Sequence, residues 1–282
     1  MALTDEQIER YSRHIILKGF GAKGQKRLMA GSVLIVGAGG LGSPAALYLA
    51  AAGVGRIGIV DSDVVELSNL QRQVAHSTAG IGMAKADSAA AAIRAINPDV
   101  EVVAHNVRLD ASNVAETIVP YDFVIEGTDN FPTKFLVNDA CVLGGKPFCH
   151  GGILRFQGQV MTYVPGEGPC YRCAFKEPPP DATPSCAQAG VIGAVAGVIG
   201  CLQAMEAIKY LSGAGKLLTG RLLVYDAFYG DFDEIELSVR EPNCAVCGDN
   251  PTITTLSPSG QVVCGMSGAH VAREVLRAER CS

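Results

Sequence analysis

The fold is decided by residues 33–42, Val-Leu-Ile-Val-Gly-Ala-Gly-Gly-Leu-Gly, and by the segment that follows them as far as residue 73. The apolar run 33–36 predicts a buried parallel strand. Glycines after such a strand permit a tight turn and let main-chain N–H groups approach a phosphate at the start of the next helix. The glycines of this run form the pattern G-x-G-x-x-G and are Gly37, Gly39, Gly40 and Gly42.

A second predicted strand, residues 56–60, ends on Asp61, about 20 residues after the glycines. A carboxylate at that position can hold a ribose hydroxyl. By themselves the glycine loop and Asp61 fit a nicotinamide dinucleotide as well as ATP. The segment after Asp61, Ser-Asp-Val-Val-Glu-Leu-Ser-Asn-Leu-Gln-Arg-Gln, favours ATP because of its polar residues.

Several polar side chains follow predicted strand ends, where ligands bind in open α/β sheets. Each of them alone could be ordinary surface polarity. Hydride transfer does not need two cations and further carboxylates, whereas ATP chemistry uses cations to neutralise phosphate charge and a carboxylate to position Mg²⁺. The residues of this set are Asp61, Asp63, Asn69, Arg72, Lys85, Asp129 and Asn130. Together they predict an ATP site.

The composition excludes several classes of protein. The chain has 282 residues, 48% of them hydrophobic, and a formal net charge of -5, which argues against nucleic acid as a partner. Its first ten residues are polar and acidic, so no secretory signal is expected. The uncharged run 189–202 is too short to span a membrane. We therefore expect a cytoplasmic protein that does not bind a membrane.

The order of predicted elements indicates the architecture. Strands and helices alternate from residue 33 to about residue 150, then a strand over 155–164 follows with no helix before it, and strands over 221–227 and 234–239 form a hairpin. This order predicts a Rossmann-like, doubly wound α/β fold whose mixed sheet has a parallel N-terminal half and an antiparallel C-terminal part. Helices are also expected over 4–18 and 187–211. We assign residues 1–250 to one domain and 251–282 to a tail without an assigned role.

Two C-x-x-C pairs, about 70 residues apart, are the other strong signal: Cys170 with Cys173, and Cys244 with Cys247. Two such turns can complete a tetrahedral four-thiolate zinc site, which would be structural because it offers no open position. Two unrelated buried pairs or redox pairs are the alternatives. Cys186 precedes a predicted helix, where a thiol has a lowered pKa and can act as a nucleophile; otherwise it is a half-buried bystander.

These motifs, in this order, resemble the ThiF/MoeB/HesA family of bacterial relatives of the ubiquitin-activating enzymes. The resemblance covers roughly residues 5–250 and rests on eight stretches: Arg-Tyr-Ser-Arg-His-Ile-Ile-Leu from residue 10, the glycine loop, the segment 61–73, Gly-Thr-Asp-Asn from 127, Cys-Tyr-Arg-Cys from 170, Ala-Gly-Val-Ile-Gly from 189, Leu-Gln-Ala-Met-Glu-Ala-Ile-Lys from 202 and Cys-Ala-Val-Cys from 244.

The resemblance implies an ATP-dependent adenylyltransferase that activates the C-terminal glycine of a ubiquitin-like sulfur carrier protein for thiocarboxylate formation in thiamine, molybdopterin or related sulfur metabolism. It implies that Gly37–Gly42 cradle the phosphates and that Asp61 binds the ribose. Asn69, Arg72 and Lys85 would contact phosphate, and Asp129 would bind Mg²⁺. Arg13 would reach into the ATP site of a second copy in a homodimer, the four paired cysteines would hold a structural Zn²⁺, and Cys186 would lie over the active site.

The chain departs from some relatives of this family. A C-terminal rhodanese domain is not found in it, so we expect a separate sulfur donor protein. A nicotinamide-dependent dehydrogenase and a non-catalytic carrier-binding scaffold are the competing functions. Arg72, Lys85 and Asp129 argue against the scaffold. The carrier, and whether Cys186 becomes covalently linked, stay open at this point.

Overall fold

The computed structural model describes residues 2–176, 189–237 and 240–256. Its centre is one mixed sheet of eight strands in the order β3-β2-β1-β4-β5-β6-β7-β8. In chain order the strands are β1 Ser32–Val36, β2 Arg56–Val60, β3 Glu101–His105, β4 Phe123–Glu126, β5 Phe148–Leu154, β6 Gln157–Tyr163, β7 Arg221–Asp226 and β8 Asp231–Glu236.

Helices surround this sheet over the described residues. They are α1 Asp5–Arg10, α2 Ser12–Ile15, α3 Gly21–Ala30, α4 Gly42–Ala52, α5 Lys85–Ile96, α6 Val114–Ile118, α7 Phe131–Leu143, α8 Tyr171–Ala174 and α9 Gly193–Ser212. The expected helix over 4–18 is two short helices, because the chain leaves helical geometry at Tyr11. The expected capping box of Thr4 and Gln7 is present at the start of α1.

The parallel half of the sheet follows from the apolar strand sequences. Strands β3, β2, β1, β4 and β5 run parallel to one another. In β1, Val33 and Ile35 face one hydrophobic core with α4, α5 and α9, while Leu34 and Val36 face a second core with α6 and α7. The strand is therefore buried on both faces, as its unbroken apolar run predicts.

The order in which strands are added to the sheet reverses at β1. Strands β2 and β3 lie on one side of β1, and β4 and β5 lie on the other. The crevice at the carboxyl ends of β1 and β4 is the position where open α/β sheets bind ligands. The strands from β5 to β8 are antiparallel neighbours, so the predicted mixed sheet is confirmed.

Helix α9 has the length and composition of a membrane span, and no other helix in the described ranges does. It packs against α4, α3 and the strands β5 and β6 of the sheet. Its Glu206 is buried and accepts hydrogen bonds from Thr162 Oγ1 at 2.6 Å and from the Leu218 main-chain N–H at 2.8 Å. These contacts are those of a core helix. Helix α9 begins at Gly193, whereas the sequence predicted a start at residue 187.

Candidate functional site

The glycine loop connects β1 to α4. Gly37 has a φ of 95°, a left-handed conformation that glycine adopts without strain. A Cβ at Gly42 would lie 1.8 Å from the Gly37 carbonyl oxygen, so no larger residue fits there. Helix α4 starts at Gly42 and has no side-chain hydrogen bond at its N-cap. Its first N–H groups can therefore bind a phosphate.

Asp61 fixes the first turn of the glycine loop. Its Oδ2 accepts a hydrogen bond from the Ala38 N–H at 2.8 Å, and its Oδ1 accepts one from the Asp63 N–H at 2.9 Å. Burial raises the pKa of Asp61, and the hydrogen bond from Asp63 and the charge of Lys85 oppose that rise. Each carboxylate oxygen retains a lone pair that can accept a ribose hydroxyl.

The segment after β2 folds back over the glycine loop. A Cβ at Gly40 would lie 3.4 Å from Arg72 Cγ, so the stem of Arg72 lies against that glycine. Asn69 is buried, and its Oδ1 accepts a hydrogen bond from the Glu66 N–H at 3.1 Å. A Cβ at Gly193, the first residue of α9, would lie 2.1 Å from the Gln71 carbonyl oxygen. Arg72 is therefore held between the glycine loop and the start of α9, and Asn69 lies in the same turn, where its carbonyl accepts the Arg72 N–H at 3.1 Å.

Lys85 begins α5 and is buried although it is charged. Its Nζ donates to Asp63 Oδ2 at 2.9 Å, while the Asp63 side chain is 68% exposed. An ammonium group has three N–H donors, so Lys85 can bind a phosphate oxygen while it keeps Asp63. Asp63 and Lys85, two of the predicted site residues, are thus brought together as an ion pair.

The segment 127–130 follows β4 and touches the glycine loop, because a Cβ at Gly37 would lie 3.0 Å from the Gly127 carbonyl oxygen. Asn130 is the N-cap of α7, and its Oδ1 accepts a hydrogen bond from the Thr133 N–H at 2.9 Å. Asp129 is exposed. Asn130 thus has a structural role at this site, whereas the carboxylate of Asp129 faces solvent.

Two groups at the site were missed by sequence reasoning. His76 is buried, and its ring nitrogens lie 2.9 Å from the Ala38 carbonyl oxygen and 3.0 Å from Ser88 Oγ. Glu126 is fully buried and lies within hydrogen-bond distance of Lys134 and His150. The only sequence signal for Glu126 is a charged residue at the end of the apolar strand 123–126, and nothing distinguishes His76.

The four paired cysteines come together although about 70 residues separate the pairs. Their Sγ atoms all lie within 4.8 Å of one another, with Cys170 3.6 Å from Cys244 and Cys173 3.4 Å from Cys247. Tetrahedral Zn–S bonds of about 2.3 Å place sulfur atoms about 3.8 Å apart, so the cluster fits such an ion.

Packing against α7 explains how the first cysteine pair is placed. Arg172 makes two hydrogen bonds to the Asp139 carboxylate, at 2.6 and 2.7 Å, and its guanidinium lies over the Phe135 ring. The Tyr171 N–H donates to Asn138 Oδ1 at 2.9 Å. These contacts orient the two thiols of the Cys170 turn before any metal binds.

Arg13 is exposed on α2, away from the other predicted residues. Two residues earlier, the Tyr11 hydroxyl accepts a hydrogen bond from Asn97 Nδ2 at 2.8 Å. The Tyr11 ring lies against Gly53 at the carboxyl end of α4. The glycine loop lies at the other end of this 11-residue helix, which is about 16 Å long. Arg13 is therefore separated from its own glycine loop. Cys186 lies outside the described residues.

Comparisons with known proteins identify the family of this chain. The model of the ThiF family matches residues 11–246. The adenylyltransferase and sulfurtransferase MOCS3 of Bos taurus is 51% identical over 97% of this chain and 60% of its own length. The chain thus spans about 60% of the length of that relative. The sulfur carrier protein adenylyltransferase of Thermus thermophilus is 52% identical over 89% of this chain and 95% of its own length.

Among solved structures, Escherichia coli MccB with AMPCPP and MccA has a TM-score of 0.75 and 25% identity, over 85% of this chain and 74% of that one. The SAMP-activating enzyme E1 of Haloferax volcanii is 50% identical over 88% of this chain and 92% of its own length. The family model covers far more than half of the sequence, and full-length relatives share half of its residues. The resemblance stated from the motifs is therefore confirmed, and the chain belongs to the ThiF family.

Proposed function

We propose that this protein uses ATP to adenylylate the C-terminal glycine carboxylate of a ubiquitin-like sulfur carrier protein. The observation that carries the proposal is the convergence of the glycine loop with Arg72 and the Asp63–Lys85 pair at the carboxyl ends of β1 and β2. The names of the relatives from Thermus thermophilus and Haloferax volcanii support the same reaction. Two cations beside a phosphate-binding loop favour phosphate chemistry over hydride transfer.

In the proposed reaction the carrier carboxylate attacks the α-phosphorus of ATP. A bond forms between a carboxylate oxygen and the α-phosphorus. The bond between the α-phosphorus and the oxygen that bridges to the β-phosphorus breaks, and pyrophosphate leaves. The carboxylate is already a nucleophile, so the site needs positioning and charge stabilisation, and it needs no general base. Main-chain N–H groups of the glycine loop hold the phosphates, and Asp61 holds the ribose.

Lys85 and Arg72 would neutralise the charge that develops on the phosphates, while the amide of Asn69 would hydrogen-bond to them. We assign Asp129 as the residue that holds Mg²⁺, since it is exposed two residues after Gly127, which contacts the glycine loop, and hard oxygen ligands suit that ion. Bound Mg²⁺ would supply additional charge neutralisation at the phosphates.

A homodimer would complete the site. Arg13 lies a helix length away from its own glycine loop, so it is available to a second copy of the chain. Apolar side chains on the adjoining surface are exposed, including Ile16 at 72%, Tyr48 at 60% and Met205 at 48%. Tyr48 and Met205 line a shallow depression between α4 and α9 that His14 also lines. Burial of this exposed apolar surface against a second copy would stabilise the dimer.

The four-cysteine cluster is proposed to hold a structural Zn²⁺. All of the ligands are thiols, and a closed four-thiolate set leaves no position for substrate. Residues 1–250 are proposed as the adenylation domain and 251–282 as an appendage. Ile253 and Leu256 pack on the same core cluster as Cys244, so the part of the tail next to the domain lies against it. A separate protein is proposed as the sulfur donor, and Cys186 stays a candidate for a covalent step.

Carrier-dependent exchange of labelled pyrophosphate into ATP tests the proposal. We expect exchange with at least one member of a panel of ubiquitin-like sulfur carriers, and we expect it to fall by about 100-fold or more in Asp129→Asn. Glu116→Gln is the matched control, because Glu116 is exposed on α6 and has no place in the site. Exchange that needs no carrier, or none with any carrier, would overturn the proposal. Binding of NAD in place of ATP would favour the dehydrogenase.

A further inference from the structure

A buried ionic cluster lies directly under the segment that carries Asp129. We call it the Glu126 cluster, and it consists of Glu126, Thr128, Lys134 and His150. Glu126 is the last residue of β4, and its side chain is 1% exposed. None of the four residues is needed to bind ATP or carrier in the proposed function.

The cluster fixes the backbone on both sides of Asp129. Glu126 Oε1 accepts the Thr128 N–H at 2.8 Å and the Thr128 hydroxyl at 2.5 Å. On the other side, Asn130 is held as the N-cap of α7. Asp129 therefore lies between two anchored neighbours. In the described parts of the chain no hydrogen bond or ion pair engages its own carboxylate, so it is held in place and left available.

Lys134 and His150 in turn hold Glu126. Lys134 Nζ lies 2.9 and 3.2 Å from the two carboxylate oxygens and 2.8 Å from the Gly151 carbonyl oxygen, which uses all three N–H donors. His150 Nδ1 lies 2.7 Å from Glu126 Oε2. Since a carboxylate only accepts, Nδ1 carries the proton and Nε2 faces the Gln159 amide at 3.5 Å.

The same cluster is joined to the cysteine cluster. The His150 ring packs on the Tyr171 ring with centroids 4.5 Å apart, and Tyr171 directly follows Cys170. Every group of the Glu126 cluster is thus paired, and His150 connects the cluster to the turn that carries Cys170. A buried ion pair is often no more stabilising than apolar residues of the same size, so its stability alone does not explain its presence.

We propose that the Glu126 cluster is a positioning device that sets the place of Asp129 relative to the glycine loop. Glu126 and Thr128 fix the turn, and Lys134 and His150 fix Glu126. The Gly127 carbonyl oxygen lies so close to Gly37 that a Cβ there would be 3.0 Å away from it. The cluster therefore also positions the turn against the phosphate-binding loop. The inference rests on the proposed function in one respect, the assignment of Asp129 to Mg²⁺.

Thr128 gives the sharpest test because a matched pair of variants exists. Thr128→Val keeps the shape and removes the hydroxyl donor, whereas Thr128→Ser keeps the donor. We expect Thr128→Val to raise the Mg²⁺ concentration for half-maximal exchange by about tenfold, because the turn loses one charge-assisted hydrogen bond. In Thr128→Ser this concentration should stay within about twofold of that of the unaltered protein. Calorimetric binding of ATP with Mg²⁺ should show the same order without any turnover.

Lys134→Met tests the deeper part of the cluster, and Lys146→Met is its control. Lys146 Nζ also donates to main-chain carbonyls, those of Val119 and Tyr121 at 2.8 and 2.9 Å, but these precede β4 at the opposite end of the strand. Both variants should unfold at a lower temperature. Only Lys134→Met should also raise the Mg²⁺ requirement, and if it does not fold, the Thr128 pair decides.

A Mg²⁺ requirement that stays unchanged in Thr128→Val would overturn the positioning role and leave the cluster as a contribution to stability. Absence of exchange with normal binding of ATP and Mg²⁺ by the unaltered protein would overturn the proposed reaction only, because calorimetry still compares the Thr128 variants. No binding of ATP by the unaltered protein would overturn both.

Discussion

His76 Nε2 lies 2.9 Å from the carbonyl oxygen of Ala38, the residue between the first two glycines of the loop. A carbonyl only accepts, so Nε2 carries the proton and Nδ1 accepts from Ser88 Oγ at 3.0 Å. The Ala38 N–H donates in the opposite direction to Asp61. The main chain of one loop residue, Ala38, is therefore held on both sides, by buried His76 and by half-buried Asp61.

We expect His76→Ala to lower the free energy of unfolding by about 1 kcal/mol, because the Ala38 carbonyl loses its closer donor and keeps only the Ser43 hydroxyl at 3.3 Å. It should also weaken ATP binding, since the loop loses one of the side chains that hold Ala38 in place. His76→Gln, whose amide can donate to the same carbonyl, should lose less unfolding free energy and less ATP affinity than His76→Ala. Urea unfolding and calorimetry with ATP measure the two effects. Equal losses in both variants would contradict the hydrogen-bond explanation.

Acid should remove the stabilisation that ionised Glu126 provides. Burial by itself would raise the pKa of Glu126, but Lys134 and His150 outweigh it and lower the pKa from 4.5 to about 2. Because the folded-state pKa is the lower one, the stabilisation is complete above pH 4.5 and is lost as the pH falls towards 2. The difference in pKa corresponds to about 3 kcal/mol.

The comparison of the unaltered protein with Glu126→Gln isolates this contribution. The glutamine does not titrate, so the difference in unfolding free energy between the two proteins should shrink as the pH is lowered from 6 to 3, roughly as the linkage relation requires. Urea unfolding at each pH measures it. Glu116→Gln, an exposed substitution on α6, should show no such trend. A difference that stays constant over this range would show that Glu126 has no depressed pKa.

The cysteine cluster should contain about one zinc ion per chain. Cys173→Ser and Cys244→Ser should each release the metal and lower the unfolding temperature, since the ion connects the α8 turn to the segment 244–247. Cys201→Ser is the control, because Cys201 lies on α9 outside the cluster. Elemental analysis of the purified proteins measures the metal content. A full zinc content in Cys173→Ser would exclude the four-thiolate site.

Arg13 and Asp129 should complement each other between subunits. Arg13→Ala and Asp129→Asn should each abolish exchange when purified alone. Mixed and reassembled, they should recover about a quarter of the unaltered activity, since half of the dimers are mixed and each has one intact site. Exchange kinetics after reassembly measure the recovery. No recovery from a mixture that demonstrably forms mixed dimers would mean that Arg13 acts in its own subunit or only in folding.

The parallel half of the fold was predictable because its signals are local. The apolar run of β1, the spacing of the glycines and Asp61 at the end of β2 lie within about 30 residues of one another. The strand ends also located Asp129 and Asn130. The bounds of the N-terminal helix were not predictable, since the break at Tyr11 depends on its burial against Gly53 and Asn97, which are distant in sequence.

The role of Asn130 shows a different limit. Its position after a strand end indicates a ligand site and a helix N-cap equally; the hydrogen bond from the Thr133 N–H shows the N-cap, and the ligand contact stays a prediction. Likewise, Lys134 has the sequence context of a surface lysine on a helix. It is buried because Glu126, eight residues earlier, ends its strand under the first turn of α7.

By itself the sequence determined the βαβ unit, the mixed sheet and the family, because hydrophobic period, glycine pattern and short motifs are properties of adjacent residues. The tertiary structure alone decided which distant groups meet. It brought Cys170 and Cys173 to Cys244 and Cys247, placed His76 against the glycine loop, and paired Glu126 with Lys134 and His150. The physical reason is burial: a polar group removed from water needs a partner, and the fold rather than the local sequence supplies it.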